Sequence, residues 1–169
     1  MSVRTLKNLI PFGSIFLLFL VDLLLLYSRT PNMRIGFANI RRGFVDKGDQ
    51  IEAFLLENSF QIFGLCETDL LNHDHPPSIS GFQCILSKDP ARRVAAYIRN
   101  DINFEVLNYS GDLPAIVIRT HHTTFGFLYS QYTDNPYSKD RRKLTDKDRM
   151  LRLSVFLDWF AMHASKQFI

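Results

Sequence analysis

Apolar and polar residues follow a strand, helix, strand pattern in the first part of the chain after residue 32. Residues 33–40 alternate apolar with small or polar side chains, at the two-residue period of a half-buried strand. Residues 61–68 form a second, mostly apolar strand-like run, and in residues 51–60 the apolar side chains recur every three to four positions, which predicts a helix. Two strands joined by one short helix predict a right-handed crossover, in which the two strands are parallel and end on the same side of a sheet.

Each of these predicted strands ends in a polar side chain, Asn39 in the first and Glu67 in the second. The crossover would bring the two residues together at one sheet edge. A carboxylate and an amide oxygen are hard ligands that suit a magnesium ion, which keeps several waters and binds a substrate phosphate. In a simpler interpretation, Asn39 stabilises a turn and Glu67 caps the next segment.

A second helix is predicted near the end of the chain, where residues 145–148 have the spacing of a capping box. We expect its core-facing side to be an apolar stripe, made of Leu151, Val155, Trp159 and Met162. Two cysteines, Cys66 and Cys84, lie in strand-like runs and are expected to be reduced core thiols without a disulfide.

The first 32 residues differ in character, because residues 9–27 are almost continuously apolar and are flanked by Arg4, Lys7 and Arg29. This length suits a hydrophobic helix that spans a membrane, and Asp22 lies near its end, where a charge costs less. We therefore predict an uncleaved membrane anchor, without which the protein would be intracellular. In the alternative interpretation, residues 1–32 are translated from an upstream reading frame and are foreign to the domain that follows.

The composition is ordinary for a globular domain, with 46% hydrophobic and 22% charged residues. The length predicts one domain over residues 33–169. A net charge of +3 does not by itself indicate nucleic-acid binding. A basic cluster in residues 139–152 could follow a nucleic-acid backbone, although nearby aspartates are also consistent with a solvated helix start. The sequence contains no phosphate-binding glycine loop and no Ser or Cys triad pattern.

Five segments together resemble the endonuclease/exonuclease/phosphatase family, and especially the endonuclease domains of non-LTR retrotransposons. They are residues 33–43, 60–70, 80–82, 92–102 and 125–129. The first looks like the family's opening strand with its Asn, and the second like its strand that ends in a Glu-Thr pair. The resemblance implies an α/β fold, namely the amino-terminal half of a two-sheet, DNase I-like sandwich preceded by the hydrophobic helix.

The same resemblance implies roles for individual residues. Glu67 would be the main protein ligand of a catalytic magnesium ion (Mg2+), and Asn39 would orient the phosphate or contact the metal and its waters. Tyr129 would form a hydrogen bond with the scissile phosphate, with Tyr132 as the alternative counterpart. Both tyrosines could instead be strand side chains packed beneath a sheet.

This sequence also departs from the family pattern. The Asp-x-Asn motif and the later Asp-His pair of the family are missing, and Arg92-Arg93 replaces the usual glycine pair, a change we expect to alter a turn without touching the chemistry. The chain thus resembles a truncated copy, which we expect to be inactive alone. We also expect one apolar sheet face to be left open, so that another chain or subunit would cover it.

The sequence therefore predicts an ancestral magnesium-dependent endonuclease that cleaves DNA phosphodiester bonds. A membrane-anchored binding or scaffold protein without catalysis is the alternative from another class. A phosphatase or phospholipase of the same family is a third possibility, since the loops that select the substrate are not decided by these motifs.

Overall fold

The predicted strand, helix, strand unit is present in the computed structural model, which describes residues 33–41, 43–70, 74–121, 123–130 and 143–164. After the first strand, a short 3-10 helix leads into the first α-helix. In order along the chain, the elements are β1 (Ile35–Asn39), α1 (Gly48–Glu57), β2 (Ile62–Cys66), β3 (Phe82–Leu86), β4 (Val94–Arg99), β5 (Phe104–Leu107), β6 (Ala115–Thr120), β7 (Thr124–Leu128) and α2 (Asp146–Ala164).

The described strands form two sheets. The first sheet has the order β1-β2-β4-β3, in which β1 and β2 are parallel, as the sequence predicts, and the other neighbours are antiparallel. The second sheet is antiparallel, with the order β5-β6-β7. The prediction of a mixed α/β fold with two sheets is confirmed.

The two sheets pack face to face, and their inner faces form one hydrophobic core. β2 and β4 supply one side of this core and β6 and β7 the other. Gly64 of β2 makes room for the ring of Phe127, because a methyl group at Gly64 would overlap that ring. Phe127 in turn stacks on Phe37 of β1, with ring centroids 6.0 Å apart. These contacts determine how β7 lies over β1 and β2.

Each outer sheet face is covered by a helix. Ile51 and Leu55 of α1 pack in a second core with the outer side chains of the first sheet, and Phe156 and Phe160 of α2 pack in a third core with those of the second sheet. The expectation of an open apolar sheet face is therefore wrong for the described strands, because β5, β6 and β7 already cover the first sheet. A further chain as a partner stays a prediction.

The orientation of α2 differs from the expected one. Leu151, Val155 and Met162 are 63%, 51% and 62% exposed, whereas Phe156 and Phe160 are buried. Apolar residues lie on two sides of this helix, and the aromatic side faces the sheet because large rings bury more apolar area. Of the predicted stripe, Trp159 packs inward, and its ring meets that of Tyr109 edge-on at 5.1 Å.

No helix in the described ranges is long and apolar enough to cross a membrane. The predicted anchor, residues 9–27 within the leader 1–32, lies outside those ranges, so that anchor stays a prediction.

The close approach of Phe127 to Gly64 leads to a stability prediction. We expect Gly64→Ala to lower the free energy of unfolding by about 1–3 kcal/mol, because the added methyl forces the two sheets apart or Phe127 out of its rotamer. Denaturant unfolding measures the change. Adding Phe127→Leu should restore part of the loss, since a smaller side chain admits the methyl. Equal stability of Gly64→Ala and the wild type would contradict this account.

Both cysteines are free, as predicted, and the structure makes them sensitive to alkaline pH. Burial raises the pKa of Cys66 from its ordinary 9.0 to about 12, and the charge of Glu67 raises it further. Burial also raises the pKa of Cys84 to about 12, against the opposing effect of a hydrogen bond with Tyr97. Since each folded pKa exceeds the unfolded one, the stability is fully present below pH 9 and is lost as the pH rises toward 12.

We therefore expect the free energy of unfolding to fall steadily above pH 9, as measured by denaturant titration at successive pH values. A Cys66→Ala, Cys84→Ala variant should show a shallower fall, with the residual slope due to buried tyrosines such as Tyr97, whose pKa burial also raises. A wild-type stability that stayed constant up to pH 11 would be inconsistent with buried neutral thiols.

Candidate active site

The carboxyl ends of β1 and β2 form one rim of the sandwich, and this rim carries Asn39 and Glu67. Asn39 pairs in register with Cys66, and the amide of Ile40 donates a hydrogen bond to the carbonyl of Cys66 at 3.1 Å. Glu67 follows Cys66 directly, so the two polar residues lie at neighbouring strand ends. The sequence predicted this placement from the parallel crossover alone.

Tyr129 reaches the same rim from the other sheet. It lies two residues beyond Phe127, which packs on Gly64, and its amide donates a hydrogen bond to the carbonyl of Pro114 at 3.0 Å. Burial raises the pKa of the Tyr129 phenol above its ordinary value. The charge of Glu67 and a hydrogen bond with its carboxylate raise this pKa further, while Arg93 lowers it. The phenol is therefore neutral at physiological pH, and its O–H donates a hydrogen bond to the Glu67 carboxylate.

The side chain of Asn39 has a structural role as well. Its Oδ1 accepts a hydrogen bond from the amide of Arg41 at 2.9 Å, which closes a turn directly after β1. The interpretation that Asn39 stabilises a turn is thus confirmed, and the turn uses its side-chain oxygen. The NH2 group of the same amide is a donor, and a donor suits a phosphate oxygen better than a metal ion.

Arg93 is the rim residue that sequence reasoning missed. Its side chain is only 6% exposed, its guanidinium carbon lies 5.5 Å from the ring centroid of Tyr129, and its Nε is 3.5 Å from Oδ1 of Asp69. A backbone hydrogen bond joins the same two segments of the chain, because the amide of Thr68 donates to the carbonyl of Arg93 at 3.3 Å. The expectation that Arg92-Arg93 alters a turn without touching the chemistry stays a prediction, but the structure places the charge of Arg93 against the candidate tyrosine.

A signal for Arg93 existed in the sequence but could not be interpreted there. An arginine directly before the buried run of β4 is unusual, because β4 is buried from Val94 to Ile98. Only the antiparallel pairing of Cys66 with Val94 places Arg93 opposite Glu67.

Backbone strain is concentrated at this rim. Four residues other than glycine adopt left-handed backbone angles there, with φ of 51° at Arg41, 58° at Glu67, 44° at Asp69 and 43° at Arg92. Left-handed conformations cost L-amino acids roughly 1–2 kcal/mol each. Strained residues persist where the surrounding structure holds them, and such clusters are typical of functional sites.

The donors at the rim fit a hydrated magnesium ion. Glu67 offers one half-buried carboxylate, and Mg2+ commonly binds through one or two carboxylates while it keeps several waters. Across the described residues, no group of three or more His, Cys, Asp and Glu side chains could hold a metal ion. Glu67 is therefore the rim residue that could hold such an ion, through its carboxylate.

Two other sequence expectations lie partly or wholly outside the described residues. Tyr132, the alternative to Tyr129, is outside them, as are residues 139–142 of the basic cluster. Within α2, Arg149 forms an ion pair with Asp146, as expected for a solvated helix start.

Comparison with known proteins adds no assignment: no protein-family model matches the chain, and no curated protein matches it.

Proposed function

We propose that this rim is a magnesium-dependent phosphodiester-cleaving site of the endonuclease type, and that the fold is the amino-terminal half of a DNase I-like sandwich. The observation that carries the proposal is the meeting of Asn39, Glu67 and Tyr129 at one strained rim. These three residues come from segments far apart in sequence, and they supply a carboxylate, an amide and a phenol, which suit a metal ion and a phosphate. DNA is the substrate that the family resemblance favours.

Each residue has a distinct role in this proposal. Glu67 holds the magnesium ion, which when bound neutralises charge on the phosphate. The NH2 group of Asn39 donates to a phosphate oxygen. The neutral phenol of Tyr129, whose O–H donates to Glu67 in the structure, turns that hydrogen bond to a second phosphate oxygen when the substrate is bound. Arg93 is a positioning residue, because its guanidinium packs on the Tyr129 ring and pairs with Asp69 beneath the rim.

Activation of the attacking water needs further groups. The sequence has no counterpart of the Asp-x-Asn and Asp-His motifs, which supply these groups in the family. We therefore propose that the chain alone has little or no turnover, because removing a positioned base commonly costs a hundredfold or more.

The test is nicking of supercoiled plasmid by the full chain with Mg2+, with a chelator, and beside a parallel preparation of Glu67→Ala. Nicking that needs Mg2+ and is lost in the variant would support the proposal. Equal nicking by both preparations would contradict it, since a contaminant would then explain the activity. A soluble phosphomonoester and a phospholipid, offered in parallel, test the phosphatase and phospholipase alternatives.

A non-catalytic binding role is the second candidate. The exposed apolar side chains on α2, Leu151, Val155 and Met162, favour it, because contiguous exposed apolar surface is typical of interaction sites. Absence of any Glu67-dependent activity, together with stable folding, would favour this binding or scaffold role, with membrane attachment through residues 9–27 still a prediction.

A further inference from the structure

We infer that a pocket beside the candidate active site binds the nucleotide unit next to the phosphodiester that is cut, an inference that rests on the proposed function. The pocket has a volume of about 570 Å³ and lies between the loop that joins β3 to β4 and the loop that joins β5 to β6. Pockets of this size accommodate small organic ligands. Neither the sequence motifs nor the family resemblance indicated this pocket.

The pocket lies at the same end of the sandwich as the rim, and two of its wall residues neighbour rim residues. Ala91, in one wall, lies two residues before Arg93. Pro114, in the opposite wall, accepts the hydrogen bond from the amide of Tyr129 at 3.0 Å. A chain of nucleotides whose scissile phosphate lies at Glu67 and Tyr129 could therefore place a neighbouring unit in this pocket.

The floor of the pocket suits a flat, weakly polar ring. Ala91, Tyr109 and Leu113 line it and are all buried. The Tyr109 ring is held edge-on against Phe156, with centroids 5.1 Å apart, and its hydroxyl forms a hydrogen bond with the backbone of Leu113. This rigid aromatic and aliphatic surface can pack against a base, which every nucleotide offers regardless of sequence.

The mouth of the pocket carries cationic and amide groups that suit a phosphate and the edge of a base. Lys88 and Arg152 provide positive charge, and Nζ of Lys88 donates to Oδ1 of Asn108 at 2.6 Å across the two loops. An ammonium group has three N–H donors, so one bond to Asn108 does not exhaust its capacity.

Two carboxylates in the pocket walls, Asp89 and Asp112, limit which kinds of ligand can bind. Asp89 accepts hydrogen bonds from the Ser87 hydroxyl and from the amide of Arg93, so its charge is used within its own loop. Asp112 lies close enough to Tyr109 to raise the pKa of that phenol. A negative charge here disfavours a bare anion and suits the N–H donors of a base. The mixed walls thus favour a nucleotide over inorganic phosphate.

The test uses a deoxynucleoside monophosphate as the probe, with inorganic phosphate and an uncharged nucleoside as comparisons. Binding to the full chain is measured by calorimetry or by chemical-shift changes. We expect the mononucleotide to bind more tightly than either comparison, and Lys88→Gln to weaken that binding about fivefold or more. Arg99→Gln is the matched control, because Arg99 lies at the far end of β4.

Unchanged mononucleotide binding in Lys88→Gln, an exposed substitution that should not disturb folding, would overturn the inference. Inorganic phosphate binding as tightly as the nucleotide would overturn it too, because the floor would then contribute nothing. Glu67→Ala separates this inference from the proposed function. The pocket predicts that this variant still binds the mononucleotide, even if no preparation of the chain nicks DNA.

Discussion

Glu67→Asn is expected to lower magnesium-dependent cleavage by at least about 100-fold, with little net change in the stability of the fold. The loss follows from the removal of the metal-binding carboxylate from the rim. Two effects on stability oppose each other. Glu67 has a left-handed φ of 58°, which Asn tolerates better than Glu, for a gain of up to about 1 kcal/mol. The substitution also removes the hydrogen bond between Glu67 and the buried phenol of Tyr129, at a cost of about 1 kcal/mol.

Magnesium binding gives this prediction a readout that does not depend on turnover. An ion that binds only the folded state raises the midpoint of thermal unfolding. We expect Mg2+ to raise the unfolding midpoint of the wild type and to leave the midpoint of Glu67→Asn unchanged. Ser59→Asn is the matched control, because Ser59 has a similar φ of 52° but lies between α1 and β2, away from the rim. The same magnesium shift in wild type and Glu67→Asn would exclude Glu67 as the ligand.

Arg93→Ala is expected to destabilise the fold by about 3 kcal/mol, the low end for a broken buried ion pair. Arg93 is almost fully buried, while the side chain of its partner Asp69 is 21% exposed, so water can compensate part of the loss. The substitution also removes the packing of the guanidinium on the Tyr129 ring. Denaturant unfolding measures the change.

A second arginine provides the comparison for Arg93. Arg99 pairs with Asp101 at 2.6 Å, but both side chains are exposed, so Arg99→Ala should cost less than about 1 kcal/mol. Arg93→Lys shows how much of this stability comes from the charge and how much from the planar guanidinium, because lysine keeps the charge but cannot stack as a planar group. If Arg93→Ala were no more destabilising than Arg99→Ala, Arg93 would not organise the rim.

A titration of Tyr129 would show whether Arg93 acts on the site itself. Arg93 lowers the pKa of the Tyr129 phenol, whereas burial and Glu67 raise it. Arg93→Ala should therefore raise this pKa further, and a merely structural role at a distance from the phenol would leave it unchanged.

Local sequence was enough to predict the first unit of the fold and part of the candidate site. The alternation in residues 33–40, the helical spacing in residues 51–60 and the short connection between two apolar runs allow only a parallel pair of strands around a helix. Because parallel strands end on the same side, the positions of Asn39 and Glu67 at one rim follow from this one strand pairing.

The rest depended on contacts between segments distant in sequence. Tyr129 meets Glu67 because Phe127 packs into the space at Gly64, and Arg93 meets both because β4 pairs with β2 in one register. Helix α2 has apolar side chains on two sides, and the side with the larger aromatic rings packs on the second sheet. Periodicity specifies that a face is apolar, but only packing decides which face is covered and which side chains meet across a core.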